Sequence, residues 1–177
     1  MSYTVPASIP ASYMYGWTSF MDGGNQTEPE IRFAIPALPI LGAKTPSQLI
    51  RDLCKSIRDE AEAADFYTRL LQQTTNPLFK KFITHARNEE LQHLRMFTQL
   101  YVYLTGQQPR YTITPVRIET FREGILRAFQ DELKAAEFYR NTAFSVTDPM
   151  IRDAFLYART AEMEHAARFS FVYPQVK

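Results

Sequence analysis

The chain has 177 residues, 45% of them apolar and 22% charged, which is the composition of one globular domain with a sizeable core. Twenty basic residues face nineteen acidic ones, a net charge of +1 that gives no support to binding nucleic acid or a membrane surface through bulk charge. One cysteine, Cys54, excludes a disulfide framework, a CxxC zinc site and a cysteine-held iron centre; with only His85, His93 and His165 beside it, metal or acid–base chemistry must lean on carboxylates.

Residues 1–45 read as a Pro/Gly/Tyr-rich arm. Pro6, Pro10, Pro29, Pro36 and Pro39 interrupt any long helix, and Tyr3, Tyr13, Tyr15 and Trp17 suit contact with the domain or with a neighbouring subunit. The start of the chain shows no charged n-region or apolar h-region, and the apolar run 33–43 is short and broken by proline. A cytoplasmic protein without membrane segments is expected.

Residues 46–177 read as four helices. Thr45-Pro46 starts the first, predicted to run to about Thr75. Asn76-Pro77 starts the second, stopped by Gly106 after Thr105. A connection over 107–115 leads to a third helix predicted over 116–145. Asp148-Pro149 starts a fourth that ends near Tyr173-Pro174. The short links make helices 1–2 and 3–4 antiparallel hairpins, and the longer middle link suits a crossover along the bundle.

Each helix carries a seam of alternating steps of three and four. The seams are Leu53, Ile57, Glu60, Ala64, Tyr67, Leu71; Phe79, Ile83, Ala86, Glu90, His93, Phe97, Leu100, Leu104; Ile125, Phe129, Glu132, Ala136, Tyr139, Ala143; and Ile151, Phe155, Ala158, Glu162, His165, Phe169, Val172. Ionisable residues enter each seam only near its middle. A shift of 72 residues lays the two hairpins on one another without a gap: Asp59-Glu60 on Asp131-Glu132, Tyr67 on Tyr139, Ala86-Arg87 on Ala158-Arg159, Glu90 on Glu162 and His93 on His165. His85 falls on Tyr157, so the third histidine stands outside the repeat.

The repeated polar set is Glu60, Glu90, His93, Glu132, Glu162 and His165. Glu90-x-x-His93 and Glu162-x-x-His165 each put both side chains on one helix face, a turn apart. One reading is a buried ion-pair network that fixes helix register. Four carboxylates, however, repel one another and are costly to desolvate with two imidazoles for partners. A pair of divalent cations supplies the missing positive charge.

One Glu from each of two helices and Glu-x-x-His from the other two resembles the ligand set of the ferritin-like dinuclear carboxylate superfamily, and within it the rubrerythrin-like group without a rubredoxin domain. The resemblance covers the chain from Pro46 to Tyr173. It implies an all-α, ferritin-like four-helix bundle made of two related antiparallel hairpins. It also implies a two-metal site in which Glu60 and Glu132 take the single-Glu positions and Glu90/His93 and Glu162/His165 the Glu-x-x-His positions. Iron is the expected metal, with manganese an alternative and zinc a substitute. The chain departs from rubrerythrins in having no cysteine cluster, so electrons would come from an external donor. It has Ala128, Phe129, Ala135 and Ala136 where rubrerythrins carry an additional glutamate ligand near the helix-3 Glu. No fifth helix follows the fourth, so a storage shell of the classical ferritin type is not expected. Antiparallel dimers are common among related proteins, so a homodimer is one assembly that the resemblance allows; the sequence itself sets no oligomeric state.

Around this set, Asp59 and Asp131 are expected to hydrogen-bond the free nitrogens of the ligand histidines, the alternative being solvent-facing i,i+4 ion pairs. Arg87 and Arg159 would pair with those aspartates or cap the outer face. Tyr67 and Tyr139 would donate to metal carboxylates, relay electrons or simply pack. Ile57, Phe97, Phe129 and Phe169 would ring the site and restrict water. The expected function is an oxidoreductase reducing peroxide or dioxygen. The alternatives are a ferroxidase or iron-handling protein, and a structural, coat-type protein retaining the fold.

Overall fold

The computed structural model describes residues 42–177; the arm expected over 1–45 lies outside them but for its last four residues. The described residues form a four-helix bundle with no strand: α1 Pro46–Leu70, α2 Pro77–Thr105, α3 Phe121–Ala143 and α4 Pro149–Val172. Single turns of 3₁₀ helix follow α1 (Leu71–Gln73) and α4 (Tyr173–Gln175). No helix among these residues is long and apolar enough to cross a membrane.

The start signals work as their chemistry requires. Thr45 forms a capping box with Gln48, and Asn76 and Asp148 each accept backbone N–H bonds with proline in the first turn. Gly106 closes α2 in the left-handed region at φ 69°, where its N–H reaches Val102 O.

The middle helix boundary differs from the expectation. α3 begins at Phe121, not at Val116, because Thr120 is extended and its side chain accepts the Glu123 N–H while donating to the Glu123 carboxylate. Residues 107–120 instead run along α1. Glu62 accepts from Thr114 N at 2.9 Å, and Arg69 donates to Val116 O at 2.6 Å. Val116 and Ile118 turn inward against the core. α1 likewise stops at Leu70, short of Thr75.

This crossover fixes the topology. α3 starts at the end of the bundle where α1 finishes and α2 starts, as the stacking of Phe79 on Phe121 records (6.1 Å). α3 is therefore antiparallel to α1, and α4 is antiparallel to α2. α1 packs chiefly on α2 and α3 on α4, while α2 meets α4 more extensively than α1 meets α3.

The apolar core is split in two. One cluster, with Leu70, Ile83, Ile125 and Phe169, fills one end; the other, with Leu53, Ile57, Phe97 and Phe155, fills the opposite end. The seams are buried almost as read, with three corrections. Leu70 takes the seat expected for Leu71, Ala128 takes the one expected for Phe129, which is only partly buried, and Leu104 at the end of the α2 seam is exposed. Between the two clusters lies a polar layer.

Candidate metal centre

The polar layer is made of Glu60, Glu90, His93, Glu132, Glu162 and His165, all at most 4% exposed and both histidines at 0%. Helical periodicity puts them there: each lies one heptad step from an apolar residue that is itself buried, so folding carries the charged residue inward with its neighbours.

Two donor sets emerge, each with ligand atoms within 4.8 Å of one another. One comprises Glu60, Glu90, His93 and Glu162; the other comprises Glu90, Glu132, Glu162 and His165. Glu90 and Glu162, one from each Glu-x-x-His pair, belong to both. His93 Nδ1 lies 3.5 Å from Glu60, 3.5 Å from Glu90 and 3.4 Å from Glu162. His165 Nδ1 lies 3.4 Å from Glu90, 3.4 Å from Glu132 and 3.3 Å from Glu162. The two halves thus repeat one arrangement about an approximate two-fold axis.

The residues fit a pair of cations. His93 Nδ1 and Glu90 Oε1 are buried without a hydrogen-bond partner, although oxygen or nitrogen atoms surround both. Apart from the hydrogen bond between His165 Nδ1 and Glu162 Oε2 at 3.3 Å, the donors converge from several sides at 3.4–3.5 Å without satisfying one another, a spacing that suits a shared central ion. Four carboxylates and two imidazoles are a hard-to-borderline set, suited to iron, manganese or zinc. These buried Glu and His groups can hold metal ions.

Electrostatics agree. Burial, then the charge of Glu90, pushes the Glu60 carboxyl well above its ordinary range. Burial, then Glu162 and Glu90, does the same to Glu132. Glu90 is held low: burial opposes its charge, but its close approach to Glu60, His165 and His93 prevails. His93 is pushed up to about 12; burial opposes this and its contacts with Glu162, Glu60 and Glu90 outweigh it. His165 is raised in the same way by Glu132, Glu162 and Glu90. Without cations the layer stores protons as its counter-charge.

Each tyrosine reaches across the axis. Tyr67 on α1 donates to Glu132 on α3, and Tyr139 on α3 donates to Glu60 on α1. Burial, then the neighbouring carboxylates, raises both phenols well above their usual range, so they stay protonated donors. Tyr67 stacks on Phe169 at 5.4 Å, and its counterpart Tyr139 meets Phe97 at 5.3 Å.

The aspartates do not take the place expected of them. Asp59 is ion-paired with Lys55 and Arg58, and Asp131 with Arg127 and Lys134, all in partly exposed positions. Each aspartate directly precedes a core glutamate, so helical rotation turns it about 100° away from the layer. Arg87 contacts Asn88, and neither Arg87 nor Arg159 pairs with an aspartate among the described residues. The carboxylate that does reach a histidine is Glu89: its Oε2 accepts from His165 Nε2 at 2.7 Å. It was obscured because it stands outside the repeat, Ala161 being its counterpart. Its signal was the spacing His85, Glu89, His93 at steps of four.

A cavity of about 240 Å³ leads to the layer from the α1–α3 side. Glu60, Glu90, Glu132 and Glu162 form its floor, Ala63, Ala128 and Ala135 its narrow-waisted walls, and Lys55, Asp59, Arg127 and Asp131 stand near its mouth. The histidines lie on the opposite, α2–α4 side.

Comparison with known proteins bears on the fold. No family model matches the chain. The uncharacterized protein YhjR of Bacillus subtilis (strain 168) is 31% identical over 123 residues, 70% of this chain and 85% of that protein. A hypothetical protein from Pyrococcus furiosus has a similar structure (TM-score 0.65, 23% identity, 71% of this chain and 88% of that one). So does a two-domain protein from Anabaena variabilis containing DJ-1/ThiJ/PfpI-like and ferritin-like domains (TM-score 0.65, 15% identity, 76% of this chain and 41% of that one). The fold is ferritin-like.

Proposed function

The chain belongs to the same family as YhjR of Bacillus subtilis, and we propose that it is a dinuclear metal protein, with iron the favoured metal, that reduces peroxide or dioxygen. The observation that carries this reading is the pair of overlapping buried donor sets sharing Glu90 and Glu162. Glu60 and His93 would serve one cation alone, Glu132 and His165 the other. Among ferritin-like proteins the reading sits nearest the rubrerythrin-like group, because the single-Glu and Glu-x-x-His positions recur in the same order.

A pair of ferrous ions held by these residues would supply the two electrons that, with two protons, reduce hydrogen peroxide to two molecules of water. The chain's own groups set the conditions. The cavity admits a small molecule from the α1–α3 side to the carboxylates. Ile57, Phe97 and Phe169, all at 0% exposure, keep bulk water from the layer on either side. Tyr67 and Tyr139 steady the Glu132 and Glu60 carboxylates by hydrogen bonds; Tyr139 leaves free the Glu60 oxygen that faces His93, whereas Tyr67 holds the Glu132 oxygen that faces His165. Cys54 alone cannot return electrons, so an external donor restores the reduced state.

Elemental analysis of purified protein should find close to two metals per chain, and chelation should lower the melting temperature. Mixing the anaerobic Fe(II) form with hydrogen peroxide and, separately, with oxygen ranks the two oxidants by rate. Sustained oxidation of added Fe(II) without any reductant would move the reading to a ferroxidase. A protein with no metal and no response to chelation would overturn both.

A further inference from the structure

The two halves of the layer carry the same glutamates and tyrosines on the cavity side and differ in residue type behind the histidines. The approximate two-fold axis carries His85 onto Tyr157 and Glu89 onto Ala161. The ring positions are conserved by this exchange. His85 lies edge-on to His165 at 5.9 Å and 85°, and Tyr157 lies edge-on to His93 at 5.8 Å and 89°. The hydrogen bonding is not. His165 Nε2 donates to Glu89 Oε2 at 2.7 Å, and His85 Nε2 stands 2.9 Å from the same oxygen. His93 Nε2 is buried and has no hydrogen-bond partner; the methyl group of Ala161 offers it nothing.

A carboxylate behind an imidazole does two things. It keeps the proton on Nε2, leaving the Nδ1 lone pair toward the cation, and it makes that lone pair a stronger donor by drawing on the N–H. It also fixes the plane of the ring. His165 has both advantages and His93 has neither.

We infer that Glu89 is a positioning residue that makes the two cation positions unequal, the Glu132/His165 position binding first and more tightly than the Glu60/His93 position. This rests on the dinuclear reading above. A site of this kind keeps one ion resident while the other exchanges, although the carboxylates around the two are near-copies.

The test is titration of the chelator-stripped full chain with Mn(II), following free Mn(II) by electron paramagnetic resonance. Wild type should bind in two steps, the first about 10-fold or more tighter than the second. Glu132→Ala should abolish the tight step and Glu60→Ala the weak one. Glu89→Gln, which keeps shape but not charge, and Glu89→Ala should weaken the tight step by about 10- to 100-fold and leave the weak step in place, so that the two converge. A merely structural role for Glu89 would lower both steps together or only the melting temperature of the stripped protein, and would overturn the inference. Two equal steps in wild type, or Glu89 variants that leave the tight step unmoved, would also overturn it while sparing the dinuclear reading. No Mn(II) binding at all would overturn both.

Discussion

Tyr139 on α3 donates its phenolic proton to Glu60 on α1, so the first carboxylate of one hairpin is held by the other hairpin. Tyr67 and Glu132 make the reciprocal bond. The layer is thus locked across α1–α3, the thinner of the two main helix contacts that join the hairpins. Tyr139→Phe removes the donor and leaves a buried carboxyl oxygen unsatisfied. The expected cost is about 1–3 kcal/mol of stability, and Tyr67→Phe should match it. Denaturant unfolding of the stripped protein measures both.

Glu132 and Asp131 are neighbours in sequence with opposite fates, and metal content distinguishes them. Glu132→Ala should lower bound metal below two per chain. Asp131→Asn, and likewise Asp59→Asn, should leave it unchanged, because their partners are the surface cations Arg127, Lys134, Lys55 and Arg58. Elemental analysis of the three variants is sufficient. Equal metal loss in all three would return the aspartates to the role first expected of them.

The stripped protein should lose stability as pH rises. A histidine unfolds to a group that releases its proton near 6.5, whereas folded His93 keeps it up to about 12. Its contribution is complete below the unfolded value and is lost as pH climbs through this window. His165, Glu60 and Glu132 are raised too and act with the same sign, the glutamates from about 4.5 upward. Glu90 is lowered, so its contribution is present above 4.5 and fails only in acid. Thermal melts from about pH 6 to about pH 9 should therefore show a falling midpoint. Cations displace the same protons, so metal binding should release protons and tighten with pH; calorimetry in buffers of different protonation enthalpy reads that release directly.

Thr120→Ala should cost about 1 kcal/mol, the usual worth of an N-cap, because Thr120 and not Val116 opens α3. Circular dichroism during thermal unfolding checks this.

The bundle and its six core donors were legible in the sequence because the duplicated hairpin states each position twice. Glu90 gains meaning from Glu162, and His93 from His165. What broke the repeat was hidden: Glu89 faces Ala161, so a search for matched pairs passes over it. The start of α3 was misplaced for another reason. Val116 and Ile118 alternate, which is the period of an extended segment, but the helical pattern beyond them absorbed the stretch. Asp59 and Asp131 take the alternative reading, solvent-facing i,i+4 ion pairs, because a single step along a helix turns a side chain from the interior to the surface.

The α1–α3 cavity and the placement of the histidines on the α2–α4 side have a consequence for traffic. Carboxylates, which can swing between one and two ions, line this approach to the layer. Imidazoles, which cannot, stand at the rear. The bundle behaves as a socket with a movable front and a fixed back. Changes at Ala63, Ala128 or Ala135 should alter which molecules enter, whereas changes at His85, Glu89 or Tyr157 should alter how firmly the contents are kept.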